Sequence, residues 1–172
     1  MSSSSSLLTQ RRNLLLALLA LPLTGLAAPI PDGLQRWGRG TFRRFGFLVY
    51  EATLWAGDDP LRPPLALRLD YKRSIAGKDI AEASVKEMRK RVTDAAQLQA
   101  WGEQMLRIFP DVSEGDHLLG VWQADGARFV QGERTLGTVG DPAFARAFFG
   151  IWLDEKTSAP ELRAALLQKP AT

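Results

Sequence analysis

The 172-residue chain has no cysteine, a single histidine, two tyrosines and three methionines. Without cysteine no disulfide can hold the fold and no thiolate can bind a metal, so a hydrophobic core must suffice. One histidine, His117, cannot build a metal centre, which needs several converging ligands. His117 follows Asp116 at an expected strand entrance, where it is either a base candidate or an ordinary surface residue. No serine lies in a nucleophile-elbow pattern, and no glycine spacing matches a phosphate loop. The acid pairs Asp58-Asp59 and Asp154-Glu155 fall in turns, where sequence neighbours do not flank a substrate atom as general acid and base must. This inventory nominates neither a cofactor nor a metal.

Charge of one sign is scarce too. The chain carries 22 Lys and Arg against 19 Asp and Glu, a net +3 that becomes +1 if Arg11 and Arg12 leave with a cleaved leader. The only basic run, Lys86 to Arg91, fits a solvated helix face with Glu82 and Glu87 as i,i+4 partners of Lys86 and Arg91. It lacks interleaved aromatics, so no nucleic-acid partner is expected.

What is present begins with the amino terminus. "MSSSSSLLTQRR" is polar and basic, "NLLLALLALPLTGL" is an apolar run of signal-sequence length, and "GLAA" offers small residues for cleavage. An export signal is expected over residues 1–27, leaving a single domain over 28–172, exported to the periplasm by the general secretory or the twin-arginine route. The run is shorter than the about 20 residues of a membrane span and is broken by Pro22 and Gly25, so no stable span is expected after removal.

Beyond it, "APIPDGLQRWGRG" reads as an irregular lead-in. Aromatic and β-branched enrichment from Phe42 to Trp55 predicts a strand apolar on both faces. Leu65, Leu67, Leu69, Tyr71 and Ile75 alternate with polar residues and predict a strand with one wet face. The period then changes. Ala81, Val85, Met88 and Val92 form one helical stripe, and Leu98, Trp101, Met105 and Phe109 a second, capped by Asp94 and ended by Pro110. "HLLGVWQADGARFVQG" predicts a hairpin turning at Asp125-Gly126, with "RTLGTVG" as a further strand. Asp141 and Pro142 open a helix that aims Phe144, Phe148, Ile151 and Trp152 at the core. Ser158 and Glu161 form a capping box for a last helix docked by Leu162 and Leu166. Strands and helices in blocks imply an α+β domain, an antiparallel sheet with helices on one face.

Three stretches, "RRFGFLVYEATLW", "LRLDYKRSIAGKDI" and "FFGIWLDEKTSAPELRAALL", resemble in order and spacing the chalcone isomerase-like family, in its exported bacterial branch. The resemblance covers about residues 33 to 168. It implies an open-faced sandwich, a large antiparallel sheet backed by helices with a ligand cleft between them. The family's enzymes close a ring on an enone with an Arg, a strand Thr, a Tyr and an Asn near the first helix, and a later hydroxyl pair. Arg43 is the nearest match to the Arg, with Arg44 and Arg39 close by; the Thr falls near Phe45, the Tyr at Ile80, the Asn at Glu87, and the hydroxyl pair near Ile151 and Trp152. Loss of those hydroxyls argues against isomerase activity.

Non-catalytic members of the family bind fatty acids, an Arg and a Tyr meeting the carboxylate. The resemblance therefore implies an exported, non-catalytic protein with a small apolar or acyl carboxylate ligand in the cleft. Arg43 is the candidate anchor, facing inward among Phe45, Phe47 and Trp55, and Tyr50 or Tyr71 replaces the missing Tyr if it points into the cleft. Arg43 and Arg44 flanking the strand in solvent is the competing reading. An envelope structural or protein-interaction domain with a closed cleft is the alternative function, and an isomerase or lyase with a divergent site the third.

Overall fold

A computed structural model describes residues 30–169, so the expected leader over residues 1–27 lies outside the described part. Six strands form one antiparallel sheet in sequence order: β1 (Gln35–Arg44), β2 (Phe47–Ala56), β3 (Leu65–Tyr71), β4 (His117–Gln123), β5 (Gly126–Gln131) and β6 (Arg134–Val139). Helices α1 (Gly77–Met88) and α2 (Ala95–Ile108) join β3 to β4, and α3 (Pro142–Leu153) and α4 (Pro160–Leu166) follow β6. This is the expected α+β open-faced sandwich.

Period-2 alternation decides the core face. Ala52, Leu54 and Ala56 of β2, Leu65, Leu67, Leu69 and Tyr71 of β3, and Leu118 and Trp122 of β4 are buried in one cluster with the helices. The stripes of α2 and α3 meet them, with Leu98, Trp101 and Met105 of α2 and Phe144, Phe148, Phe149 and Trp152 of α3 buried. Asp94 caps α2 by accepting from Gln97 N–H at 3.0 Å. Asp141 caps α3 through Ala143 N–H at 2.8 Å and takes the Trp101 indole N–H at 2.9 Å, tying α2 to α3. The helix-free face carries a small second cluster, Ala66, Leu119, Val121 and Val130, partly covered by Ile30, Leu34 and Trp55.

Several local expectations are corrected. The lead-in is half strand, because β1 begins at Gln35. Gly38 and Gly40, which look like loop residues in sequence, lie where α4 crosses β1; a Cβ on Gly38 would sit 2.1 Å from the Ala165 carbonyl oxygen. The stretch from Phe42 to Trp55 is a hairpin rather than one strand. Arg44 pairs with Phe47 across a two-residue turn, Phe45 at φ 51° and Gly46 at φ 81°. Positive φ at both turn positions is the type I′ pattern, for which Asn-Gly rather than Phe-Gly is the usual signature. The β4–β5 hairpin exists, but Gln123 pairs with Gly126, so Ala124 and Asp125 make its turn.

Charged partners also differ. Glu82 pairs with Lys78 at 3.6 Å and Glu87 with Lys90 at 3.0 Å, while the nearly buried Arg91 donates to the Glu87 carbonyl at 2.9 Å and approaches Asp154 at 3.6 Å. Ser158 makes no capping box. Its hydroxyl donates to Glu87 at 2.7 Å, and α4 has no side-chain cap.

Candidate functional site: a cleft between the sheet and the first helix

Helix α1 packs on α2 and α3 rather than on the sheet. The space it leaves is a cavity of about 1000 Å³ at the end of the sheet where the β1–β2 hairpin turns. That lies at the upper end of the range usual for small-molecule sites. Tyr50, Leu67, Leu69, Tyr71, Leu118 and Phe129 line it from the sheet; Ile80, Ala83 and Ser84 from α1; Phe148, Ile151 and Trp152 from α3. Small residues on α1 keep the volume open, and the Ser84 hydroxyl is spent on the Ile80 carbonyl at 2.8 Å. The interior is thus apolar apart from its phenols.

Cross-strand register puts those phenols together. Tyr50 pairs with Tyr71, and their rings meet edge-to-face at 6.0 Å; Phe42 stacks on Tyr50 at 5.0 Å. The Trp152 indole N–H donates to the Tyr50 oxygen at 3.0 Å, which leaves the Tyr50 hydroxyl proton to donate elsewhere. Tyr71 hydroxyl makes no hydrogen bond among the described residues. Burial is the main cause that pushes both phenols well above the ordinary phenol range, with Glu87 adding to the rise at Tyr50 and Tyr50 to that at Tyr71. Both therefore remain hydrogen-bond donors at neutral pH.

A pH effect follows. A phenol whose ionisation is suppressed in the fold contributes stability that is fully present below its unfolded pKa of about 10 and is lost as pH rises above it. Each buried phenol should remove about 1.4 kcal/mol of stability for every pH unit above that value until it ionises in the fold. Denaturant melts at rising alkaline pH should show a steeper loss for the native chain than for Tyr50→Phe/Tyr71→Phe; equal slopes would contradict the burial of these hydroxyls.

The mouth is charged. Arg43, Arg44 and Arg73 stand on the sheet side, and Lys86 shares the α1 side with Asp79, Glu82 and Glu87. Among the described residues none of these four cations forms an ion pair. Partial burial pushes the Glu87 carboxyl up, but hydrogen bonds from Ser158 and Lys90 and the charges of Lys90 and Arg91 outweigh it, so Glu87 lies below the usual carboxylate range.

Tyr50 and Tyr71 form the floor. Arg43 is exposed at the rim, its guanidinium donating to the Gly46 carbonyl at 3.3 Å, and is not buried among Phe45, Phe47 and Trp55. Trp55 belongs to the opposite sheet face. Phe45 is not an interior wall residue: it is the hairpin tip, 87% exposed, and reaches only the mouth of the cleft. The reason is the turn itself, which sequence reasoning missed because Phe-Gly is not a turn signature. Ile80, Glu87, Ile151 and Trp152, matched to the enzymes' polar positions, do line the cleft. His117 does not. It pairs with Asp70 on the helix-free face, where burial, then Arg68, lower its pKa against the opposing pull of Asp70 and Asp116.

An antiparallel sheet with one helical layer and a side-opening cleft defines an open-faced α+β sandwich built around a ligand-sized cavity. The chain belongs to the chalcone isomerase-like family, which matches residues 34–168. It is 33% identical over 141 residues to an uncharacterized protein of Haemophilus influenzae, covering 82% of this chain and 68% of that one. The crystal structure of a fatty-acid binding protein of Arabidopsis thaliana superimposes with a TM-score of 0.63 at 13% identity, over 81% of this chain and 89% of the other. That similarity establishes the shared fold. Among the described residues no helix is long and apolar enough to cross a membrane, and no cluster of His, Asp or Glu could hold a metal ion.

Proposed function

We propose that this is an exported, non-catalytic member of the family that holds one fatty-acid-like carboxylate, its acyl chain in the cleft and its carboxylate at the sheet side of the rim near Arg43, with Tyr50 or Tyr71 as hydroxyl donor. The carrying observation is the open apolar cavity, floored by two protonated phenols, with cations on the sheet side of its rim that form no ion pair among the described residues. Each methylene buried there contributes about 0.8 kcal/mol. A solvated rim suits a carboxylate, which keeps part of its hydration while gaining charge-assisted hydrogen bonds. Phenols held un-ionised are donors rather than bases, which favours binding over proton abstraction. That the Arabidopsis protein of the same fold is a fatty-acid binding protein supports the same reading. A closed-cleft structural role fits less well, because the chain's own aromatics leave the cavity open.

Native mass spectrometry of the protein from its host should show a small-molecule adduct, and long-chain fatty acids should raise its melting temperature. Arg43→Ala should weaken carboxylate binding by about tenfold, or about 1.4 kcal/mol, and leave the methyl ester unaffected. No adduct and no thermal shift across a fatty-acid panel would sink the proposal.

A further inference from the structure

Among the described residues, the β1–β2 hairpin tip carries the two most exposed large apolar side chains, Phe45 at 87% and Phe47 at 61%. Neither contributes to the core, so burial does not explain them. Phe45 moreover occupies φ 51°, a conformation that bulky residues rarely adopt and that Asn or Gly would take with less strain. Strain of this kind persists where something other than the local fold requires the residue.

The surroundings indicate what that is. The Arg44 guanidinium lies 5.4 Å from the Phe45 ring and that of Arg73 4.9 Å from the Phe47 ring, while Arg43 holds the turn through the Gly46 carbonyl. Two outward aromatics ringed by three arginines without ion-pair partners match the interfacial layer of an anionic bilayer, where rings enter the headgroup boundary and cations meet phosphates. A polar protein surface would leave the rings unburied, and an uncharged apolar partner would leave the arginines unmatched.

We infer that the hairpin tip docks the protein on the surface of a bilayer rich in anionic phospholipid, Phe45 and Phe47 entering the headgroup region and Arg43, Arg44 and Arg73 contacting phosphates. The same residues border the sheet side of the cleft mouth, so docking brings that side of the mouth to the bilayer, away from the Asp79, Glu82 and Glu87 carboxylates on the α1 side. The inference stands on the tip alone and does not require that the cleft bind a fatty acid.

Because the chain has no native cysteine, Phe45→Cys and Asp125→Cys each accept a single polarity-sensitive dye; Asp125, in the β4–β5 turn, lies at the opposite end of the sheet. The protein, in the form its host accumulates, is mixed with phosphatidylcholine vesicles with or without about 30 mol% phosphatidylglycerol. The tip dye should shift to the blue with the anionic vesicles only, salt should reverse the shift, and the Asp125 dye should stay silent. In flotation, Arg43→Glu/Arg44→Glu/Arg73→Glu should lose at least about a hundredfold in affinity, each charge counting for about fivefold. Phe45→Asn should lose about tenfold while its melting temperature holds or rises, since Asn suits the turn. A silent tip dye, equal shifts at both sites, or undiminished flotation of Phe45→Asn would overturn the inference. So would a blue shift without vesicles that grows with protein concentration, which would mean a second copy covers the tip. Fatty-acid binding is measured without vesicles, so the two proposals fail separately.

Discussion

Truncating Phe149 to alanine is expected to lower stability by about 3–5 kcal/mol, the usual cost of removing a fully buried aromatic ring. Phe149 is 0% exposed, stacks on Trp122 with centroids 5.4 Å apart and planes 8° from parallel, and meets Phe148 edge-to-face at 5.4 Å. Its ring lies over Gly120, 3.2 Å from where a Cβ would be. No neighbour can collapse fully into the vacancy. A domain of this size has about 5–15 kcal/mol in all, so the variant should sit near the edge of folding. Urea melts should show a lower midpoint with an unchanged slope. Phe149→Leu, which refills most of the volume, should cost less than roughly half as much. Equal stability of native chain and Phe149→Ala would contradict this packing of α3 on the sheet.

Gly38→Ala should be comparably damaging for a different reason. The new methyl would lie 2.1 Å from the Ala165 carbonyl oxygen and 2.4 Å from that of Leu166, main-chain atoms that no rotamer change removes. Helix α4 must lift from β1, exposing Leu162 and Leu166 at about 1.5–3 kcal/mol each. Thermal melts should fall, and limited proteolysis should open the chain after Ala159. Gly40→Ala should be milder, because its nearest obstacles are the Leu162 Cδ1 and Ala165 Cβ atoms and the leucine can rotate. A Gly38→Ala variant as stable as the native chain would mean that α4 does not seat there.

The features legible in advance share a short range. The stripe Leu98, Trp101, Met105 and Phe109 is buried throughout, and Asp94 and Asp141 cap the helices they were expected to cap. Each depends on residues within one or two turns, where periodicity and cap chemistry carry the information. Features set by distant partners were missed. The Ser158 hydroxyl goes to Glu87, 71 positions away, rather than to its own helix. Gly38 is a glycine because of a helix more than a hundred residues later. The Phe45-Gly46 turn escaped for a local reason: a phenylalanine at positive φ goes against propensity, so propensity could not find it.

By itself the sequence determined the class of fold, the absence of cysteine chemistry, the core stripe of α2 and the α3 stripe apart from the half-buried Ile151, and the strand alternation that puts Leu65, Leu67, Leu69 and Tyr71 on one face. Those are consequences of backbone period and side-chain polarity alone. Only the tertiary structure decided that Tyr50 and Tyr71 share a cavity floor, that Arg43 stands at its rim, and that Phe45 leaves the wall for an exposed tip. Cross-strand register and the seating of α1 on α2 and α3 set those positions, and both arise from contacts between segments far apart in the chain.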